Sequence, residues 1–167
     1  AQWARHLGAT VIGVVGSEAK AAVALSHGCD HALLQGRDDL PARVRELTGG
    51  TGAHVVYDSV GKDTFFASLD CLRPLGMMVS FGNASGPVGP TDLGILSAKG
   101  SLYVTRPTLM SYTGTRPELL DSAKALFKMV GEKKVKIRIN QTYALKDAAQ
   151  AHADLAARKT TGSTVLI

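Results

Sequence analysis

The sequence lacks the features that define several large protein classes. It has only two cysteines, Cys29 and Cys71, too few for a disulfide framework, and no apolar run long enough to span a membrane. No Gly-x-x-x-x-Gly-Lys-Ser/Thr loop and no Gly-x-Ser-x-Gly elbow occur, which argues against phosphate-loop NTPases and α/β-hydrolases. The five histidines are dispersed, and the two beside Cys29 have no second ligand pair. We therefore expect no metal site, no membrane partner and a reduced, cytoplasmic protein.

Charge of either sign is sparse, and the balance is basic. The formal net charge is +5 and the isoelectric point about 9.4. The densest run of positive charge contains Lys133, Lys134, Lys136 and Arg138. We interpret it as a solvated turn between a helix and a strand, and we do not expect a nucleic-acid partner. A basic chain also suits an anionic cofactor.

Short apolar runs alternate with helical patterns along residues 1–134. The predicted strands are apolar throughout rather than alternating, which is typical of parallel strands buried on both faces. They cover residues 10–15, 31–34, 55–58, 77–81 and 101–105, and the predicted helices cover 18–27, 39–47, 62–72, 92–98 and 117–130. This order predicts an α/β fold, a Rossmann-like doubly wound parallel sheet.

Both ends of the chain depart from that pattern. Residues 1–7 have a helical pattern, whereas a doubly wound domain opens with a strand and a glycine turn. We therefore expect a sheet that lacks its first, central strand and that turn, with a hydrophobic edge left exposed. In the tail, residues 135–139 predict a strand, 146–157 a helix and 163–167 a last strand.

The residues after each strand are the candidate binding residues, because ligands of such folds bind at the carboxyl ends of the strands. Gly16, Ser17 and Lys20 follow the first strand, with room, a hydroxyl donor and a positive charge that suit the 2′-phosphate of NADP. Glu18 would repel that phosphate, unless it serves as a dipole partner in the first helical turn. A plain helix start with Ser17 as N-cap explains the same residues equally well.

Two further loops of small residues follow the third and fourth strands. They are Asp58–Gly61 and Phe81–Gly86. Small residues allow the backbone to approach a flat ligand closely, so the loops together indicate a nucleotide crevice. No residue stands out as a general acid or base, and the catalytic residues stay unknown.

Several ordered segments resemble one family. They are GSEAK at 16–20, VYDSVG at 56–61, SLDCLR at 68–73, MVSFGNASG at 78–86, KGSLYVTRP at 99–107 and RKTTGS at 158–163. They are similar to the quinone oxidoreductase (zeta-crystallin-like) branch of the medium-chain dehydrogenase/reductase superfamily. The similarity covers essentially the whole chain, and it corresponds to the C-terminal part of a family member.

The resemblance implies hydride transfer from NADPH to a quinone without zinc, by a homodimer. It assigns the 2′-phosphate region to Gly16, Ser17, Glu18, Ala19 and Lys20. Gln35 stands where the family has a tyrosine that contributes to this region, so that contact is altered or lost here. It places Val60 beside the adenine or ribose, and Gly82, Asn83, Ala84 and Ser85 at the dinucleotide bridge. It brings Pro107, Thr108 and Leu109 to the nicotinamide and Arg158 to the cofactor from the tail.

The resemblance also implies a division of the chain. Residues 1–134 correspond to a truncated nucleotide-binding domain, and residues 135–167 to a segment that joins the family's catalytic domain. Because the family's pyrophosphate turn and catalytic domain are missing, we expect weak NADPH binding and no quinone turnover by the chain alone. The alternatives are an RNA-binding or structural, crystallin-like role of the same fold, or another Rossmann-type enzyme such as a methyltransferase.

Overall fold

The computed structural model describes all 167 residues, which form eight α-helices, one 3-10 helix and seven strands. In chain order they are α1 (Gln2–His6), β1 (Ile12–Val15), α2 (Glu18–Ser26), β2 (His31–Leu34), α3 (Leu40–Leu47), β3 (Ala53–Asp58), α4 (Phe65–Asp70), β4 (Leu72–Ser80), α5 (Gly94–Ala98), β5 (Tyr103–Thr105), α6 (Leu109–Tyr112), α7 (Arg116–Gly131), β6 (Ile139–Tyr143), the 3-10 helix (Leu145–Asp147), α8 (Ala148–Ala156) and β7 (Ser163–Leu166).

Side-chain caps set the starts of the longer helices. The hydroxyl of Ser17 accepts from the amide of Lys20, and the carboxylate of Asp39 accepts from the amide of Ala42. Helix α7 begins with a capping box in which Thr115 and Glu118 bond to each other's backbone amides. Such caps satisfy amides that have no partner within the helix, so these residues fix where each helix starts.

All strand pairs are parallel, as predicted, but the strands form separate sheets. Strand β1 pairs with β2, and β3–β4–β5 form a second sheet in that order. Strands β1 and β3 have no strand on their other edges. Residues 1–134 therefore form two separate parallel sheets where one doubly wound sheet was predicted. Strands β6 and β7 of the tail pair with each other.

Helices cover both faces of the β1–β2 pair, as the doubly wound topology requires. A Cβ on Gly13 would lie 2.9 Å from the sulfur of Cys29 and 3.6 Å from Cβ of Ala24, so this face of β1 lies close to α2. The neighbouring Ile12 packs against a buried cluster that contains Val44 of α3. Successive strand residues point to opposite faces, which places α2 and α3 on opposite sides.

The structure differs from the sequence prediction in several places, and β4 begins at Leu72, five residues before the strand predicted over 77–81. The helix predicted over 62–72 ends at Asp70, because Leu72 already pairs with Ala53 at the start of β4. The strand predicted over 135–139 is wrong except for its last residue. The backbone of Lys136 bonds to the side chain of Gln2 instead of to a strand, and pairing with β7 begins only at Ile139. Helix α6 was not predicted.

The core is small for a chain of this length. Leu69 and Met78 are its only large, fully buried side chains, and 19 of 167 residues are buried. The accessible surface is 10997 Å². A compact monomer of this mass would expose about 7,900 Å². The chain therefore presents about 3,000 Å² more surface than a compact domain. No helix is both long enough and apolar enough to cross a membrane.

Candidate functional site

All predicted site residues except Arg158 follow the ends of the five parallel strands β1 to β5. Residues 16–20 follow β1, Gln35 follows β2, Val60 follows β3, residues 82–85 follow β4 and residues 107–109 follow β5. Since the strands are parallel within each sheet, these loops lie at the carboxyl edges. They form two groups, one per sheet, and no hydrogen bond joins the two groups.

The first group lies where β1 and β2 end. The amide of Gln35 donates to the carbonyl of Val15 over 2.9 Å, which holds the two strand ends together. Ser17 is the N-cap of α2, and its Oγ accepts from the amide of Lys20 over 3.4 Å. The hydroxyl hydrogen of Ser17 is still free to donate, because a hydroxyl both donates and accepts. The capping role and the phosphate role are thus compatible.

Glu18 has a partner that the sequence did not reveal. An ion pair of 2.5 Å joins its carboxylate to Nη1 of Arg37, two residues beyond Gln35. This pairing offsets the negative charge expected to repel a phosphate. The hydrogen bond that Arg37 donates to Glu18 also raises the pKa of Arg37. A basic residue just after a strand end was the available signal, and the sequence analysis did not use it.

The second group is organised by the buried carboxylate of Asp58, which is 4% exposed. Its Oδ1 accepts from the amides of Val60 and Gly61, over 2.7 and 3.0 Å. Its Oδ2 accepts from the hydroxyls of Thr64 and Ser68, over 2.6 and 2.8 Å. Burial alone would raise the pKa of Asp58, but these four hydrogen bonds outweigh it and the pKa is lowered. The carboxylate fixes the loop that carries Val60.

The loops after β3 and β4 are locked together through their backbones. The amide of Ser85 and its hydroxyl both donate to the carbonyl of Val60 over 2.8 Å, and the amide of Ala84 donates to Ser59 over 3.1 Å. A Cβ on Gly82 would lie 2.3 Å from the carbonyl oxygen of Ser59. Only glycine fits there. The sequence predicted that the backbone of this loop comes close to a ligand, and in the structure it comes close to the loop after β3.

Arg106 joins the end of β5 to the loop after β4. Its Nη1 donates to the carbonyls of Ser80 and Gly82, over 2.9 and 3.0 Å. When the side-chain amide of Asn83 is oriented so that its nitrogen donates to the carbonyl of Gly82, its oxygen accepts from Nη2 of Arg106 over 3.2 Å. The sequence analysis missed Arg106, which positions the segment leading to Pro107.

The remaining predicted residues are open or remote. Thr108 is the N-cap of α6, where its hydroxyl meets that of Ser111 at 3.0 Å. Leu109 is 69% exposed. Arg158 follows α8 in the tail, and no side-chain hydrogen bond or ion pair joins it to the loops. No group of three or more histidine, cysteine, aspartate or glutamate residues is placed to hold a metal ion.

Comparison with known proteins agrees with this architecture. Residues 1–128 match the zinc-binding dehydrogenase family. The chain is 54% identical to a quinone oxidoreductase of Pseudomonas aeruginosa, over 99% of this chain and 51% of that protein. It is 47% identical to a 2-haloacrylate reductase of a Burkholderia species, over 99% of this chain and 50% of that protein.

A solved structure gives the same result. The crystal structure of Escherichia coli quinone oxidoreductase complexed with NADPH superimposes with a TM-score of 0.94 at 49% identity, over 99% of this chain and 52% of that chain. The chain thus spans about half the length of the relatives it matches. It belongs to the zinc-binding dehydrogenase family, in its quinone oxidoreductase branch.

Proposed function

We propose that the chain is the NADPH-binding part of an NADPH:quinone oxidoreductase. The main support is the row of strand-end loops, which begins with a paired Glu18 and a positive Lys20 and continues through the locked loops around Val60 and Gly82. When bound, NADPH supplies a hydride that, with one proton, converts a quinone to its hydroquinone. The residues described here bind and orient the cofactor, and we assign none of them a catalytic role.

The donor set suits the two ends of a dinucleotide phosphate. Near β1, the free hydroxyl hydrogen of Ser17 and the ammonium of Lys20 provide a donor and a charge for the 2′-phosphate. The ion pair with Arg37 offsets the negative charge of Glu18, which would otherwise repel the phosphate. Near β4, Asn83 and Ser85 border the region that we assign to the dinucleotide bridge. Pro107, Thr108 and Leu109 are assigned to the nicotinamide, and Arg158 to a contact from the tail.

The proposal includes a division of labour along the chain. Residues 1–134 hold the cofactor, and residues 135–167 belong with the part of the enzyme that completes the quinone pocket. The family's description names zinc, but the residues here form no ligand cluster, and no step of the proposal uses a metal. We also propose a cytoplasmic enzyme, supported by two buried and unpaired cysteines.

A homodimer is part of the same proposal. Strand β5 pairs only with β4, so its outer edge is open, and Tyr103 on it is 58% exposed. On α7, Phe127 is 71% exposed. Open strand edges and exposed large apolar side chains are each typical of surfaces that another subunit covers.

NADPH binding is tested by titrating NADPH and NADH against the purified chain, with the fluorescence of the reduced nicotinamide as signal. We expect NADPH to bind more tightly. Lys20→Ala should weaken NADPH about tenfold and NADH less than twofold, because only NADPH carries the phosphate. Lys146→Ala, which removes an exposed charge from the tail, is the matched control.

Arg37 gives a second comparison. Arg37→Gln should weaken NADPH by leaving Glu18 unpaired, and Glu18→Gln combined with it should restore most of that loss. If Lys20→Ala still binds NADPH more tightly than NADH by the same factor, Lys20 does not bind the 2′-phosphate and the proposed phosphate site is wrong. Oxidation of NADPH by added quinone is followed in the same samples, and we expect none. Turnover at the rate of a complete homologue would contradict the division of labour.

A further inference from the structure

A second cavity region lies at the opposite edge of the β1–β2 sheet from the strand-end loops. It has a volume of about 560 Å³ and lies between the ends of α1 and α2 and the segment 133–138. We call it the basic groove and define it by Arg5, Lys133, Lys134, Lys136 and Arg138. None of its eleven lining residues is acidic, and only Ile137 is hydrophobic.

Most of the positive charge of the groove has no acidic partner. Arg5 lies 3.6 Å from the carboxylate of Asp30, but none of the other four cations forms an ion pair. Four unpaired cations on six consecutive residues repel one another. Two reciprocal hydrogen bonds nevertheless hold this segment against α1: Gln2 donates to the carbonyl of Lys136 over 3.1 Å, and the amide of Lys136 donates to Gln2 over 2.7 Å.

The opposite wall of the groove is closely packed. Gly28 has a φ of +96°, and a Cβ there would lie 2.8 Å from Cα of Gln2. The end of α2 and the start of α1 therefore touch through a position that only glycine fills without strain. Together with the bonds to Lys136, this contact gives the groove a defined shape.

The groove is separate from the proposed cofactor site. Gly28 lies before β2 begins, whereas Ser17 and Gln35 lie where β1 and β2 end. Four strand residues separate the two edges by about 13 Å. A ligand in the groove would therefore contact none of the strand-end loops, and the inference does not depend on the proposed function.

The chemistry of the groove points to a multivalent anion. We propose that the basic groove binds a small, soluble anion that carries two or more phosphate groups. Its volume lies in the range of small-molecule sites, and its polar lining excludes an apolar ligand such as a quinone. Lysine ammonium groups on flexible stems are common phosphate ligands.

The surroundings favour a compact ligand over an extended polyanion. On the neighbouring helix α7, Lys124 lies 3.8 Å from Asp121 and Lys128 lies 4.0 Å from Glu132. The unpaired positive surface therefore does not continue from the groove through Lys128 and Lys124 along α7. A nucleic-acid strand would need such a strip to neutralise successive phosphates.

The test uses tripolyphosphate as probe and the fluorescence of Trp3, the single tryptophan, which lies on α1 beside Gln2. Titrations at 150 mM salt compare tripolyphosphate with orthophosphate. We expect saturable binding of tripolyphosphate below about 1 mM, at least tenfold tighter than orthophosphate, because several cations meet several phosphates. Lys20→Ala, which removes a charge of the proposed cofactor site, should leave this affinity unchanged.

Two triple variants of equal charge separate a site from a general effect of net charge. Replacing Lys133, Lys134 and Lys136 by glutamine should weaken tripolyphosphate at least tenfold. Replacing Lys124, Lys128 and Lys146 by glutamine should change it less than twofold. Circular dichroism and thermal midpoints should match in both, since all six side chains are charged and at the surface.

Several results would overturn the proposal. One is an equal loss of affinity in both triple variants, and another is the absence of saturable binding below 1 mM. A loss of affinity in Lys20→Ala as large as that in the groove variant would place the anion at the cofactor site instead. A single-stranded RNA of about twenty nucleotides that binds the groove, and that tripolyphosphate does not displace, would show a macromolecular partner.

Discussion

Replacing Asp58 by alanine is the sharpest test of how the second group of site loops is held. The change leaves two backbone amides and two hydroxyls without their acceptor, at a residue that is only 4% exposed. A hydrogen bond to a charged group contributes about 1.5–3 kcal/mol, and an unsatisfied buried donor costs about 1–3 kcal/mol. The hydroxyls can turn to other acceptors, so the two amides dominate, and we expect a loss of about 3–5 kcal/mol.

Urea denaturation followed by circular dichroism measures this loss. Asp121→Ala is the control, because its side chain is 78% exposed and pairs loosely with Lys124. The control should change the free energy of unfolding by less than about 0.5 kcal/mol. NADPH affinity should fall with Asp58→Ala, because the loop of Val60 loses its anchor. A cost below about 1 kcal/mol would mean that the four hydrogen bonds do not carry the loop.

Three further predictions follow from single groups. Gly82→Ala should cost at least about 2 kcal/mol in urea denaturation, because its Cβ would meet the backbone of Ser59, whereas Gly16→Ala, with open space around it, should be nearly neutral. Burial raises the pKa of Cys71 to about 11, so its thiol should react with Ellman's reagent at pH 8 about a hundredfold more slowly in the folded than in the denatured chain. The lowered pKa of Asp58 adds stability above about pH 3.9, the pKa of an unfolded aspartate, and this stability is lost as the pH falls through the folded value. Asp58→Asn should therefore flatten the fall in urea midpoint between pH 5 and 3. Equal stability losses in Gly82→Ala and Gly16→Ala would contradict the steric argument. A Cys71 thiol that reacts equally fast in the folded and the denatured chain would contradict the effect of burial. An unchanged fall in the urea midpoint of Asp58→Asn between pH 5 and 3 would contradict the role of the Asp58 carboxylate.

The sequence predicted the sheet well because its strands carry their own signal. The apolar, β-branched run at 12–15 and the run at 31–34 are strands within one or two residues of the prediction. The failures have long-range causes. Asp70 ends a helix because Leu72 pairs with Ala53, and residues 135–138 are not a strand because Lys136 is bonded to Gln2. Neither partner is near in sequence, so local patterns could not reveal them.

The candidate site shows the same division between local and distant information. Strand ends are local features, so the positions of Ser17, Val60 and Gly82 could be predicted. The partners that set their chemistry lie farther away: Arg37 is 19 positions from Glu18, and Arg106 is 26 positions from Ser80. An ion pair or a bridge across loops depends on how the strands are arranged, and that arrangement is known only from the fold.

Charged residues are paired at the carboxyl edge of the β1–β2 sheet but mostly unpaired at its amino edge, and the nearby helix ends explain part of this difference. At the carboxyl edge, Glu18 stands at the start of α2 and is paired with Arg37. At the amino edge, α1 ends, and a helix C-terminus stabilises a nearby cation by about 0.3–1 kcal/mol. That effect reaches only the last turn, so it serves Arg5, which lies in the last turn of α1. Lys133 and Lys134 directly follow the C-terminus of α7, where their amides donate to the carbonyls of Val130 and Met129, so they gain a contribution of the same kind. A contribution of that size does not replace an ion pair, and neither lysine forms one, so a bound polyphosphate would supply the missing negative charge.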